Sequence, residues 1–348
     1  MTLVATRIND YVAASPNLDS WVQRASVYGA LDVALQARND PMSVVSENLF
    51  NTSLGAVGQD VTVPVMNEHS VTITNTRPAT VSDDENTSAL VTLTYVIYQY
   101  GFTSVPSAFQ NNFLTAQEDF NHRFGAWRIA VMKDLDTAVL AALSTNKNQV
   151  SPDLLGGKYS WASNTVTAAL AEEEELIGDL TVLMNSNDYD GPQFKVIGNT
   201  GLHSILRKIS EHGLQNDENK VLRLLDKDFF FTNRLSNAAN KKASGYILQP
   251  GSVGMVFRRE REALVNRTSQ TGHKWEPSVL PGTEIPMDIY SYPSVGDYNA
   301  IHGAGTADLT RGYKENFSFC IEAAIVTAYN DAIATNAAPF QFFNVADA

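Results

Sequence analysis

The sequence predicts an α+β fold, and three observations carry that expectation. Apolar and polar residues alternate over 60–102, the period of a half-buried strand. A helical stripe with an 11-residue repeat then runs over 107–144. Beyond Gly156-Gly157, short strands and helices interleave between Pro/Gly turns. A chain of 348 residues suits two domains, or three, at roughly 150 residues each.

Residues 1–56 show weak periodicity and many small polar residues, and read as an arm. A short helix over 20–37 would carry Trp21, Ala25, Tyr28, Leu31 and Leu35 on one side. From Asp60 the period is two. Val61, Val63 and Val65 alternate with Thr62 and Pro64, and Val71 and Ile73 with Thr72 and Thr74. Val91, Leu93, Tyr95 and Ile97 then alternate with Thr92, Thr94, Val96 and Tyr98. Between these runs lies TRPATVSDDENTS, whose proline and acids Asp83, Asp84 and Glu85 make an exposed loop end. The segment 57–105 therefore reads as a long β-ribbon with an acidic end. Two strands alone are marginal in water, so the ribbon needs a partner surface.

Ser107, after Pro106, reads as the N-cap of the next helix. Its stripe is Phe109, Phe113, Ala116, Phe120, Phe124, Trp127, Val131, Leu135, Ala138 and Ala142, spaced four, three, four. The register holds across Gly125, which predicts one helix of roughly 55 Å. Phe113, Phe120, Phe124 and Trp127 are its expected core. A helix over 167–185 opens with Glu172 to Glu175, acids that suit the positive end of a helix dipole. FKVIGN (194–199) is a buried strand. The helix over 200–213 turns Leu202, Ile205, Leu206 and Ile209 inward and stops at Gly213. Strands are expected at 228–233, within 245–262, at 284–293 and within 313–330, with a loop over 236–245.

With 38 acids against 25 bases the net charge is −13. A surface that acidic excludes a protein that grips nucleic acid all over, because phosphate neutralisation needs clustered Lys and Arg. It leaves open a protein that encloses nucleic acid without gripping it. The single cysteine, Cys320, forbids an intrachain disulfide or a multi-cysteine zinc cage. In the run FCIEAAIV it reads as a buried inert thiol. No basic segment leads into an apolar signal core, and no apolar run reaches the roughly 18–20 residues of a membrane span. Synthesis in a cytoplasm is the expectation, with no membrane partner.

The motifs of catalysis are missing. Gly303-Ala-Gly305 lacks the third glycine of a dinucleotide loop, there is no HExxH, and the six histidines lack metal-ligand spacing. Gly251-Ser-Val-Gly254 is one residue short of a nucleophile elbow and reads as a turn. Asp134 and Asp136, two apart on a helix, point in different directions. Asp188 and Asp190 lack the glycine and terminal Glu of a calcium loop. RREREAL (258–264) mixes its signs as a solvated strand edge does. The expectation is no enzyme, no cofactor and no metal.

The order of parts resembles the tailed-phage major capsid proteins with the HK97 fold. Those chains run arm, long β-hairpin (the E-loop), spine helix in a peripheral domain, then an axial α/β domain. The residues that carry the likeness are the arm 1–56, GAVGQDVTVPV (55–65), ALVTLTYVIYQYGFTSVP (89–106), RIAVMKDLDTAVLAAL (128–143), FKVIGNTGLHSILRKI (194–209) and GYILQPGSVGMVFRRE (245–260). The resemblance implies an arm (1–56), E-loop (57–105), peripheral domain with spine helix (106–165), axial domain with return strands (166–295) and a returning C-terminal strand and tail (296–348).

It also implies a coat protein that assembles from hexamers and pentamers into an icosahedral shell around double-stranded DNA, without sequence-specific binding. The shell would be built in the host cytoplasm and stand in the virion. A portal protein would be a partner, and separate scaffolding or decoration proteins are compatible with it. No fused scaffolding segment is expected before the arm. Since the family's E-loop lies over a neighbouring subunit, Asp83, Asp84 and Glu85 would meet Arg123, Arg128, Arg258, Arg259 or Arg261. Two rival readings stay open: an encapsulin-type nanocompartment shell, and an α+β enzyme whose site forms only in three dimensions.

Overall fold

The computed structural model describes residues 3–14, 28–40, 42–55, 60–66, 88–106, 115–189, 193–213, 227–259, 274–296, 312–329 and 335–347. Among the described residues the first α-helices are α1 (Leu3–Ala14), α2 (Gly29–Gln36) and α3 (Glu47–Gly55). Strands β1 (Thr62–Met66), β2 (Ser88–Thr92) and β3 (Val96–Ser104) lead into the long helix α4 (Ala116–Thr145). After it come β4 (Ser160–Ala162), β5 (Thr165–Ala168), α5 (Glu173–Asn185), β6 (Phe194–Gly198) and α6 (Thr200–Gly213). The remaining strands are β7 (Lys227–Phe231), β8 (Lys241–Leu248), β9 (Val253–Arg258), β10 (Lys274–Val279), β11 (Pro286–Gly296), β12 (Gly312–Thr327) and β13 (Phe340–Ala346).

Helix α4 is the longest described helix, at 30 residues and about 45 Å. It opens behind Thr115 rather than Ser107. The Thr115 hydroxyl accepts the Glu118 backbone N–H, and the Glu118 carboxylate accepts the Thr115 N–H at 2.6 Å, a reciprocal cap. Phe109 and Phe113 lie outside the described residues. Phe120, Phe124 and Trp127 are buried, followed by Val131, Leu135, Val139 and Leu143. In the second half the stripe shifts from the expected Ala138 and Ala142 to Val139 and Leu143. The buried face broadens there to include Arg128, Met132, Asp136 and Leu140, because α2 packs on this helix as well as the sheet.

The sheet beneath α4 runs β10-β11-β12-β3, with β9 pairing the far end of β12. The 16-residue β12 joins these parts, antiparallel to β11, β3 and β9 in turn. Its alternation turns Phe317, Phe319 and Ile321 toward the helix. Cys320 falls on the opposite face and is only half-buried, which corrects the expectation of a core thiol. A period of two decides this, whatever the apolar character of the neighbours.

The second sheet has the order β4-β5-β13-β8-β6-β7, with β5–β13 and β6–β7 parallel. Helices α5 and α6 pack on it through Leu176, Ile177, Leu180, Leu202, Ile205 and Leu206. Two expectations change here. Thr167 belongs to β5 and not to the following helix, because the β-branched run TVTA pairs with Phe343–Val345. The expected loop over 236–245 ends early, since β8 begins at Lys241 and pairs with both β13 and β6.

The expected turn after Gln249-Pro250 spans Gln249–Ser252, and Gly254 already belongs to β9. Ser252 N–H donates to the Gln249 carbonyl at 3.1 Å, and Gly251 takes φ 80°. A Cβ at Gly251 would fall 2.7 Å from the Ser43 backbone, so both conformation and space require glycine.

The helix-to-sheet contact depends on aromatic rings. Phe120→Ala is expected to destabilise the subunit by about 3–5 kcal/mol, read as a lower denaturation midpoint in chemical unfolding of the unassembled protein.

Candidate assembly surface

Strands β1 and β2 form a separate two-stranded ribbon, with Thr62 opposite Thr92 and Met66 opposite Ser88. The continuous strand expected over 91–98 is in fact two. Thr92 ends the ribbon, Val96 begins the strand in the α4 sheet, and Leu93 to Tyr95 make the change of sheet. The side chains at the junction explain the break. Leu93 N–H donates to the Val61 carbonyl at 2.9 Å. Leu93 and Val61 are both buried against Val45, Val256, Ala324 and Val326.

Tyr95 fixes the root from the other side. Its hydroxyl shares a 2.6 Å hydrogen bond with Ser53 of α3, whose hydroxyl donates to the Phe257 carbonyl at 2.8 Å. Burial pushes the Tyr95 hydroxyl above its ordinary pKa and keeps it neutral. The Arg258 guanidinium lies 4.4 Å over the Tyr95 ring and pairs with Glu322 on β12. Past this anchored root, Leu90 is 70 % exposed, and at the start of β3 Val96 and Ile97 are 49 % and 59 % exposed. These are large apolar side chains on a short stretch of chain.

The arm is fastened over the start of α4. Tyr11 of α1 meets Phe124 edge-on at 5.0 Å. Arg7 donates to Gln117 at 3.1 Å and pairs with Glu315 at 2.9 Å, both groups nearly buried. The sequence pattern gave no sign of this latch, because Arg7, Gln117 and Glu315 look like unrelated surface residues along the chain.

The residues expected to meet a neighbour fare unequally. Asp83, Asp84, Glu85 and Arg261 lie outside the described residues. Arg123 pairs with Asp119 one turn away at 2.9 Å, with its side chain 42 % exposed. Arg128 is 1 % exposed, standing on the row with Met132, Asp136 and Leu140. It presents no surface to a neighbour, which corrects its place among the candidates. Arg258 is engaged at the ribbon root, and Arg259 donates to the Ser278 carbonyl at 2.7 Å. Asp134 is exposed while Asp136 is fully buried, so the two do not share a site. Among the described residues no three His, Cys, Asp or Glu side chains gather as metal ligands would. No described helix is long and apolar enough to cross a membrane.

No family model and no curated protein matches the sequence. Solved structures do match. The structure titled "Mycobacterium phage Che8" aligns at TM-score 0.50 and 11 % identity, covering 86 % of this chain and 88 % of that one. The chain has that fold. "The capsid of Myoviridae Phage XM1" aligns at TM-score 0.46 and 9 % identity, covering 84 % and 88 %. "Capsid structure of the Cyanophage P-SCSP1u" aligns at 0.42 and 11 %, covering 88 % and 90 %.

Proposed function

We propose that this chain is the major capsid protein of a tailed phage, a structural protein that assembles with copies of itself into the shell around the genome. The observation that carries the reading is the ribbon. It is tied at its root into the subunit, yet Leu90 on it and Val96 and Ile97 at the start of the following strand are exposed, on a chain that shares its fold with a phage protein. Exposed apolar area of this kind is stabilised by contact with a second surface, at about 25 cal/mol per Å². The sheet carrying α4 then serves as the peripheral domain and the β4–β8 and β13 sheet as the axial domain. The virion is the expected location, after assembly in the host, and portal and scaffolding or decoration proteins are the further partners.

Purified protein is expected to form closed shells of hexamers and pentamers in negative-stain micrographs. Protein that stays monomeric across ionic conditions, with and without co-expressed phage proteins, would count against the reading.

The acidic ribbon end is proposed to rest on basic groups of a neighbour, with Arg123, whose side chain is 42 % exposed, a described candidate. Each such pair is worth about 0–1 kcal/mol, repeated over every subunit of a shell. Replacing Asp83, Asp84 and Glu85 together by Ser is expected to weaken assembly at low salt and to remove most of its salt sensitivity. Superimposable assembly curves for the two proteins would leave the acids with a role in solubility alone.

A further inference from the structure

The sheet beneath α4 has two outer strands that are built differently. At one edge β10 carries Lys274, Glu276 and Pro277. Charges and a proline in such a place keep an edge from pairing with a foreign strand. At the other edge β3 reads VIYQYGFTS, nine residues with no charge and no proline. The second sheet ends on β4, only three residues long, and on β7, which opens with Lys227 and Asp228. Among the described edge strands β3 is the longest, and nothing in its sequence guards it.

Six of the nine residues of β3 are exposed. Strand β12 pairs along one side, from Ser104 opposite Glu315 to Val96 opposite Ala323. Among the described residues no strand pairs with the other side. The polar side chains of β3 are engaged inward, where Gln99 donates to Ser318 at 2.9 Å and Thr103 to Asn316 at 2.7 Å. What the strand offers outward is its backbone, with the exposed side chains of Val96, Ile97 and Tyr100 beside it. A free edge of this length is a template for one more strand, which main-chain hydrogen bonds would hold.

The charges above the strand indicate which strand that is. Arg123 and Asp134 stand about three turns apart on one row of α4. The Arg123 guanidinium lies 5.6 Å from the centre of the Phe102 ring, toward the end of β3. Asp134 is exposed and lies toward its start, where burial and then the Asp134 charge raise the Tyr98 hydroxyl above its ordinary pKa. Phe102 and Tyr98 are equally distant from Tyr100, the middle residue of β3. A second copy turned half-way round about Tyr100 therefore overlaps all nine residues, sets Phe102 of each copy opposite Tyr98 of the other, and brings Arg123 toward Asp134. An interface that is its own complement in this way closes on a two-fold axis. We propose that β3 is a strand-addition edge that pairs antiparallel with β3 of a second copy of this chain, about a two-fold axis at Tyr100. The pairing rests on the reading of a protein that assembles with itself, and names one of its contacts. Arg123 is also a candidate for the ribbon's acids, and the test below reads the strand register whichever acid it takes.

The test is disulfide trapping in the full-length protein, with its single cysteine removed by Cys320→Ser. Residues directly opposed in an antiparallel pair lie about 4.5–5.5 Å apart at Cα, within the roughly 4.4–6.8 Å that a disulfide spans. Tyr100→Cys is expected to convert the greater part of the chains to covalent dimer when the assembly is oxidised with diamide, read on a non-reducing gel. Ile97→Cys combined with Thr103→Cys serves the same purpose should Tyr100→Cys fail to assemble, because the half-turn sets 97 opposite 103. Ile97→Cys alone is expected to give no dimer, its two copies lying about 20 Å apart. Assembled protein in which neither variant crosslinks, or in which Ile97→Cys alone does so as readily, overturns the edge pairing and leaves the shell reading standing. Protein that stays monomeric in solution overturns both.

Discussion

The aromatic seam between α4 and its sheet is the contact on which the rest depends. Phe120 and Phe124 stack at 5.7 Å, Phe124 meets Phe319 at 5.0 Å, and Trp127 meets Phe319 at 5.2 Å. Phe102 closes the group, 5.7 Å from Phe120 and 5.5 Å from Phe317. Such pairs add about 0.5–1.5 kcal/mol each to the burial of their area. Phe102 lies on the strand that continues from the ribbon, and Phe317 and Phe319 lie on β12, which reaches β9. The seam thus fixes the strand from which the ribbon departs, and Tyr11 carries the arm onto the same cluster. Arm, ribbon and spine share one foundation.

From that foundation the charges act as local fasteners rather than as a surface pattern. Arg7, Arg258 and Lys195 each pair within the chain in half-buried or nearly buried places. A half-buried pair left without one partner costs more than the intact pair contributes, so these contacts specify geometry more than they add stability.

Much of this was legible in the sequence where a period governed the outcome. The α4 stripe, the ribbon strands beside Val61–Val65 and Val91, and the amphipathic α6 follow from spacing alone. The limits were set by contacts between distant residues. Nothing around Leu93 and Tyr95 signals a change of sheet, because the alternation continues unbroken and only Val61, Ser53 and Arg258 reveal it. Cys320 looked buried by composition and is outward by register. Arg128 was expected at a surface and is buried, since the arm helix covering that side of α4 shows only weak periodicity. The TVTA strand was hidden because its partner, Phe343–Val345, lies at the other end of the chain.

The central claim is that the apolar stretch at and beyond the ribbon is completed by another copy of the chain. Hydrogen exchange over 88–100, compared between unassembled subunits and the purified assembly, tests it most directly. The account predicts strong added protection over Leu90, Val96 and Ile97 in the assembly, with the α4 seam unchanged between the two. Equal exchange over 88–100 in both states would contradict it.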